Sequence, residues 1–479
     1  MDKEFDLEEY MNQAAPGVKE RKEGMEGFMT VCDLVGRQFD SEWEETDDRS
    51  KNLKLEREKR AIIGYEKDVG YYKERIREIL REKKLAESWY PSWYSDLTEA
   101  IFAELYGLSG LAPWAYDMCE KYRTSSSAKL IGDRMYCLID GKSQLQPQVI
   151  NEKRRQQLKR TLLLATPRER LEYGFHEVYL HNGIRITIYS GDRTKENQDV
   201  MVFRKYVLKE LSFEQMADLG TIPVGAVELF KTMVAIGFNV IFAGQVRSGK
   251  TTFMQTWQKY EDPEMEGLAI ATDPETPWHE IMPGAPIMQL IADGRQLESL
   301  TKSLLRGDND YILLEEMRDG TAFKLALDIT STGTTRSKAT IHDNDAVNIP
   351  YKMAAKIRET YGGHEKELIA QVYKNFDYVL EFSQHPFDKS RKIMKGITEF
   401  SYDPAEDRIR ATYICKYDFE KGTWQWNDHI SRDKERKAAL YRDDLGNMRK
   451  LLGSLARDAP MEGESSISPA YYRGGGGSW

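Results

Sequence analysis

The residues best suited to handling a phosphate cluster at positions 244–251. Gly244-Gln245-Val246-Arg247-Ser248-Gly249-Lys250-Thr251 fits the pattern GxxxxGK[ST] at every fixed position. Glycines let the backbone curl until successive N–H groups converge on an anion. The closing lysine supplies an ammonium for the β- and γ-phosphates of ATP, and the threonine supplies a hydroxyl for Mg²⁺. Thr252 follows in the same turn. A second cluster lies downstream, where the apolar run Tyr311-Ile312-Leu313-Leu314 ends in Glu315-Glu316. A carboxylate at a strand end can orient an attacking water, and strand ends of a parallel sheet open on one crevice, so both glutamates are well placed. The plain alternatives are a glycine-rich turn with a solvated lysine and a glutamate pair at a solvated strand end.

Both clusters need particular elements to hold them. A phosphate loop must leave a strand and open a helix, so that the helix dipole adds to the loop N–H groups. Val240–Ala243 reads as that strand and Thr251–Tyr260 as that helix. Leu268–Ala271, Tyr311–Leu314 and Ala339–Ile341 are further short apolar runs separated by helical stretches. That alternation predicts a mostly parallel sheet covered on both faces. From about 375 the pattern turns antiparallel, through Tyr378–Phe382, Ile393–Phe400 and Arg408–Tyr417. Leu211–Gly220 predicts a short helix and its stop.

Upstream, Leu138–Lys142 reads as a strand entering a turn, and Val178–Ile188 as a hairpin around Asn182-Gly183. Lys153–Arg160 between them suits a helix. The first hundred residues are charged and helix-friendly, with Tyr72, Ile76, Ile79 and Leu80 at helical spacing. The divisions expected are 1–104, a helical charged extension; 105–206, an α+β domain; 207–458, an ATPase domain; and 459–479, a Ser/Gly/Pro-rich disordered tail.

Composition narrows the class. The 479 residues carry 69 Lys+Arg against 78 Asp+Glu, a net charge of −9. Mild acidity argues against dedicated, sequence-specific nucleic-acid binding, because phosphate neutralisation supplies most of that affinity. Four cysteines, Cys32, Cys119, Cys137 and Cys415, form no CxxC pair, so a zinc ribbon or a disulfide framework is not expected. The N-terminus lacks an apolar signal core. The most apolar stretch, Leu229–Gly244, is interrupted by Lys231 and Asn239 and falls short of a spanning helix. A cytoplasmic protein is expected.

Asp310-Tyr-Ile-Leu-Leu-Glu-Glu316-Met-Arg318-Asp319-Gly320 resembles the "PD-strand-GE-[IV]-RD" segment of the secretion ATPase superfamily. That superfamily covers type II and type IV secretion and the type IV and Tad/Flp pilus motors. Thr340-Ile341-His342-Asp343-Asn344 is similar to its "T-[IL]-H-x-N" histidine box, and Ser303-Leu304-Leu305-Arg306 to its "LLR" helix end. Gly107–Pro113, Asp133–Gly141 and Val202–Tyr206 resemble "GLGPLEP", "DRVYVERDG" and "IRKF" of the Tad and conjugation branch. The resemblance spans roughly residues 105–440.

The resemblance implies a RecA-like P-loop domain preceded by a smaller α+β domain. It implies catalytic roles for Glu316, Lys250, Arg318 and His342. Arg204 and Arg306 become nucleotide contacts, and Asp273 and Glu275 join Thr251 at Mg²⁺. It further implies a hexamer working on an integral-membrane platform or channel at the cytoplasmic face of the membrane. Three positions depart from the family pattern: Arg247 and Glu315 replace glycines, and Thr334 stands where the first histidine of the box would be. Those departures motivate the alternative of a nucleotide-binding scaffold with little turnover. A conjugation motor with DNA or protein cargo is a third reading, and an unrelated P-loop kinase a fourth.

Overall fold

A computed structural model describes residues 16–44, 48–165, 175–180, 183–195, 198–205, 211–271, 276–292, 294–304, 308–388 and 390–467. The chain divides into two units, Met1–Val207 and Leu208–Trp479.

In the first unit, helices Pro16–Glu44, Asp48–Ile63, Glu66–Glu82, Leu97–Leu105 and Glu152–Ala165 accompany a six-stranded sheet. The strands are β1 (Ser127–Ile131), β2 (Arg134–Ile139), β3 (Lys142–Val149), β4 (Phe175–Tyr179), β5 (Arg185–Tyr189) and β6 (Val200–Arg204). They lie in the order β3-β2-β1-β6-β5-β4, antiparallel throughout. Asp140 and Gly141, with φ of 49° and 73°, turn β2 into β3. Tyr72, Ile76, Ile79 and Leu80 are buried along one face of their helix. They belong to the same core as Leu130, Ile186 and Phe203 of the sheet, so packing is continuous across residue 104. Asn182, in the expected hairpin turn, lies outside the described residues.

The second unit holds a ten-stranded sheet. Its strands are β7 (Val240–Gly244), β8 (Gly267–Ala271), β9 (Ile287–Ile291), β10 (Tyr311–Met317), β11 (Lys338–Ile341), β12 (Tyr378–Gln384), β13 (Lys392–Asp403), β14 (Arg408–Asp418), β15 (Thr423–Trp426) and β16 (Ser466–Ile467). Six of them, in the order β12-β7-β11-β10-β8-β9, pair in parallel. Successive side chains alternate between two cores. Val240 and Phe242 enter one together with Tyr311 and Leu313, while Ile241 and Ala243 enter the other with Ile312 and Leu314. Double-sided burial explains why these strands read as unbroken apolar runs.

Two features of this unit differ from the sequence reading. Tyr378–Phe382 was expected in an antiparallel portion; β12 is instead parallel to β7 and antiparallel to β13, so it joins the two portions into one sheet. The expected disordered tail is ordered through residue 467. Pro460 bridges to Trp426, and β16 pairs with β14 at Ala411 and Thr412, beyond the stretch of that strand which β15 covers. A strand edge with unpaired N–H and C=O groups favours such a partner, which composition alone does not foresee.

Candidate phosphate-binding and catalytic site

The site forms at the C-terminal ends of β7, β10 and β11. β7 ends at Gly244, and the helix Lys250–Lys259 begins after the loop, as the motif requires. Gly244 has φ of 155°, and a Cβ there would lie 2.3 Å from the Phe382 carbonyl oxygen and 2.5 Å from Ser248 Oγ. Gly249, at φ 92°, precedes the helix. The first turn starts when the Phe253 N–H donates to the Gly249 carbonyl at 2.9 Å. Gln245, Val246 and Arg247 are exposed; Ser248 and Lys250 are buried; Thr251 and Thr252 are half-buried. Arg247 holds φ of 64°, a left-handed conformation that glycine adopts freely and arginine does not. The family glycine at this position therefore matches what the backbone needs.

Glu316 lies in β10, where pairing with β11 slips between Leu314 and Met317. Its φ is 65° and its N–H donates to Thr340 Oγ1 at 2.7 Å. The two glutamates part company here. Glu315 is buried, with Oε1 accepting from the Trp278 indole N–H at 2.6 Å. Glu316 meets His342, whose Nε2 lies 2.8 Å from its Oε1, and Arg318, which pairs with its Oε2. Glu316 reaches the phosphate-loop lysine by way of His342. Neighbouring strand residues point to opposite faces, and the slip at Glu316 re-aims that side chain.

Lys250 Nζ lies 3.3 Å from His342 Nδ1. It also lies 3.5 Å from Nε2, so the ammonium rests against the imidazole ring rather than on either nitrogen's lone pair, while Nε2 faces Glu316 Oε1 at 2.8 Å. Lys250, His342 and Glu316 thus form a contiguous row from cation to carboxylate. Burial disfavours the Glu316 charge, but hydrogen bonds from His342 and Arg318 outweigh it and hold the carboxyl down at about 2. Glu316 is a carboxylate at neutral pH.

The loop fits a nucleotide's phosphates. The cradle at Gly244 has no room for a side chain, and Ser248 Oγ is buried without a hydrogen-bond partner. Of the expected Mg²⁺ ligands, Thr251 lies in the first helical turn, whereas Asp273 and Glu275 fall outside the described residues. Arg306 does too. Among the described residues no group of three His, Cys, Asp or Glu side chains could hold a metal. Arg204 is the exposed last residue of β6 in the other unit, paired with Ser127 and Arg185. Thr334 lies in the loop before β11, its carbonyl accepting from Asn239 Nδ2 at 3.3 Å.

Sequence reasoning missed the residues that brace this site. Gln384 Nε2 donates to the Arg247 carbonyl at 3.3 Å. At the opposite end of β11, Lys338 and Arg336 both pair with Glu261, which follows the phosphate-loop helix. No local pattern announces either contact. The one signal was charge in unusual company, as in the lysine that begins the apolar run of β11.

Residues 195–370 match the family described as Type II/IV secretion system protein. The type IV secretion system protein VirB11 of Bartonella henselae is 30% identical over 184 residues, 36% of this chain and 48% of its own length. The match thus spans about half of that relative. An uncharacterized protein of Bacillus anthracis is 19% identical over 291 residues, 57% of this chain and 64% of its own length. Among solved structures, the ATPase DotB of Yersinia pseudotuberculosis superposes with a TM-score of 0.44 at 15% identity, over 72% of this chain and 86% of its own. The phosphate loop, the glutamate strand and the histidine box all fall within residues 195–370, the stretch that matches the Type II/IV secretion system protein family.

Proposed function

We propose that this chain is an oligomeric ATPase that powers a type IV secretion, conjugation or Tad-type pilus machine from the cytoplasmic face of the membrane. The observation that carries the reading is the chain Lys250–His342–Glu316 at the mouth of a phosphate loop. Lys250 and the loop N–H groups hold the β- and γ-phosphates of ATP. Glu316, exchanging one of its present partners for water, orients that water for in-line attack on the γ-phosphate. Arg318, and Arg204 and Arg306 with it, neutralise the developing charge. Thr251, Asp273 and Glu275 would hold Mg²⁺, which supplies charge neutralisation at the phosphates.

Under this reading residues 207–458 are the motor and 105–206 the domain that moves against it. Residues 1–104 dock a partner, and six copies form the working ring on a membrane platform or channel protein. No described helix is long and apolar enough to cross a membrane, so the membrane link in this reading runs through a partner. The relatives named for type IV secretion support the machine; the glutamate and histidine geometry supports the chemistry.

One observation favours a second reading, a scaffold that binds nucleotide and scarcely hydrolyses it. Both oxygens of Glu316 are engaged, one by His342 and one by Arg318, so a water there shares its oxygen with a protein partner. The test is steady-state ATP hydrolysis against protein concentration. A motor ring shows a rate per subunit that rises with concentration. A flat, background rate with nucleotide bound selects the scaffold.

A further inference from the structure

The slip that re-aims Glu316 is organised around one residue of β11. Leu314 pairs with Ala339 and Met317 with Ile341, so Glu315 and Glu316 together face Thr340. Two residues opposite one make a bulge and leave one of them out of register. The Glu316 N–H donates to Thr340 Oγ1 at 2.7 Å. Thr340 is only 2% exposed, and on its other side it pairs with Phe242 of β7. Two residues later, just past the end of β11, His342 Nε2 lies 2.8 Å from the Glu316 carboxylate. One short segment thus grips Glu316 at both ends, amide and carboxylate. Glu315, the other bulge residue, is held by the Trp278 indole N–H.

We infer that Thr340 is a positioning residue for Glu316: its hydroxyl fixes the left-handed backbone from which that carboxylate is presented to the phosphates. The inference rests on the reading of Glu316 as the group that orients water. A glutamate at φ 65° holds a conformation that persists only where its surroundings impose it. His342 and Arg318 cannot impose it alone. Three rotatable bonds separate the carboxylate from the main chain, so those partners fix where the side chain ends and not how the backbone turns. A hydrogen bond to the N–H acts on the backbone itself, and a main-chain N–H at a bulge needs such an acceptor. Valine has the same branched shape as threonine but offers no acceptor. Without the hydroxyl the bulge relaxes toward regular pairing. Successive side chains of a strand point to opposite faces, so a relaxed register turns Glu316 away from the crevice.

The test uses the full-length chain and compares Thr340→Val, which keeps the branched shape, with Thr340→Ser, which keeps the hydroxyl. Thr340→Val is expected to lower kcat for ATP hydrolysis about 10²-fold, as misplacing a reacting group by about 1 Å does, with KM within a few-fold of wild type. Thr340→Ser recovers most of the loss. In the Glu316→Gln background Thr340→Val lowers the rate no further, because the two residues act as one unit. Amide hydrogen exchange of the peptide containing Glu316, read by mass spectrometry without nucleotide, is about tenfold faster in Thr340→Val than in wild type or Thr340→Ser. Unchanged kcat in Thr340→Val, no rescue by serine, or a further loss in the double variant overturns the inference. A wild-type protein that binds ATP without hydrolysing it overturns the reading of Glu316 instead. The exchange rates then decide for Thr340 alone: faster exchange in Thr340→Val upholds its grip on the backbone, and equal exchange refutes it.

Discussion

The phosphate-loop helix and β11 meet twice, and the two meetings differ in kind. At the open end, Lys250 faces His342 beside residues that hold glycine-like backbone angles, Arg247 of the loop and Glu316 of β10. At the closed end, Glu261 and Lys338 are wholly buried. Lys338 donates to Glu261 and to Gln258 Oε1 at 2.8 Å, and Arg336 donates to Glu261 at 2.6 Å and to the Val234 and Ala235 carbonyls at 2.9 and 2.7 Å. The same two elements are thus fixed at their base by satisfied charges and left strained and reachable at their tip. A site that must exchange ligands keeps strain where the ligand arrives, while rigid support comes from elsewhere.

The largest way to break that contrast is Glu261→Ala. It leaves two buried cations without their shared carboxylate and should cost about 3–5 kcal/mol, read as a lower denaturation midpoint. A loss under 1 kcal/mol would mean that the base is not the anchor. Gly244→Ala attacks the open end, where a Cβ would stand 2.3 Å from the Phe382 carbonyl oxygen. Nucleotide affinity should fall by more than tenfold, measured by titration with a fluorescent ATP analogue. Arg247→Gly sharpens the contrast by relieving strain: stability should rise by about 1 kcal/mol, checked by denaturant melts. No gain would show that the arginine side chain returns what its backbone costs.

A further test is in pH. Glu316 has its carboxyl depressed to about 2 by His342 and Arg318 against the opposing effect of burial. A depressed carboxyl binds protons less tightly in the folded protein, so its stabilisation is fully present above the ordinary glutamate range. It is lost as pH falls from that range through about 2. The stability gap between wild type and Glu316→Gln should therefore hold near neutral pH and shrink only in acid. A gap that vanishes already above pH 5 would refute the pairing.

How much of this was legible follows the same division. The phosphate loop, its strand and its helix were readable because glycine, lysine and threonine spacing is a local backbone requirement. The parallel core strands were readable from their double-sided burial. Glu316 could be preferred over Glu315 only by resemblance; what separates them is a register slip and a left-handed φ, which no residue type in Glu-Glu announces. The closed-end triad was not readable, since Glu261 and Arg336 stand 75 positions apart. Edge strand β9 was missed because Ile287–Ile291 is only partly covered, with Met288 and Ile291 exposed. Contacts that depend on sheet order, such as that of Gln384 with the loop, became visible only once β12 was placed beside β7.

The central claim, that Glu316 is the catalyst of a phosphate-binding loop, is tested most directly by measuring nucleotide affinity and phosphate release on one preparation of Glu316→Gln. The account predicts affinity within a few-fold of wild type and phosphate release lowered about 10²–10⁴-fold, as removal of a group acting in the reaction step requires. Release equal to wild type, with nucleotide bound, would contradict it.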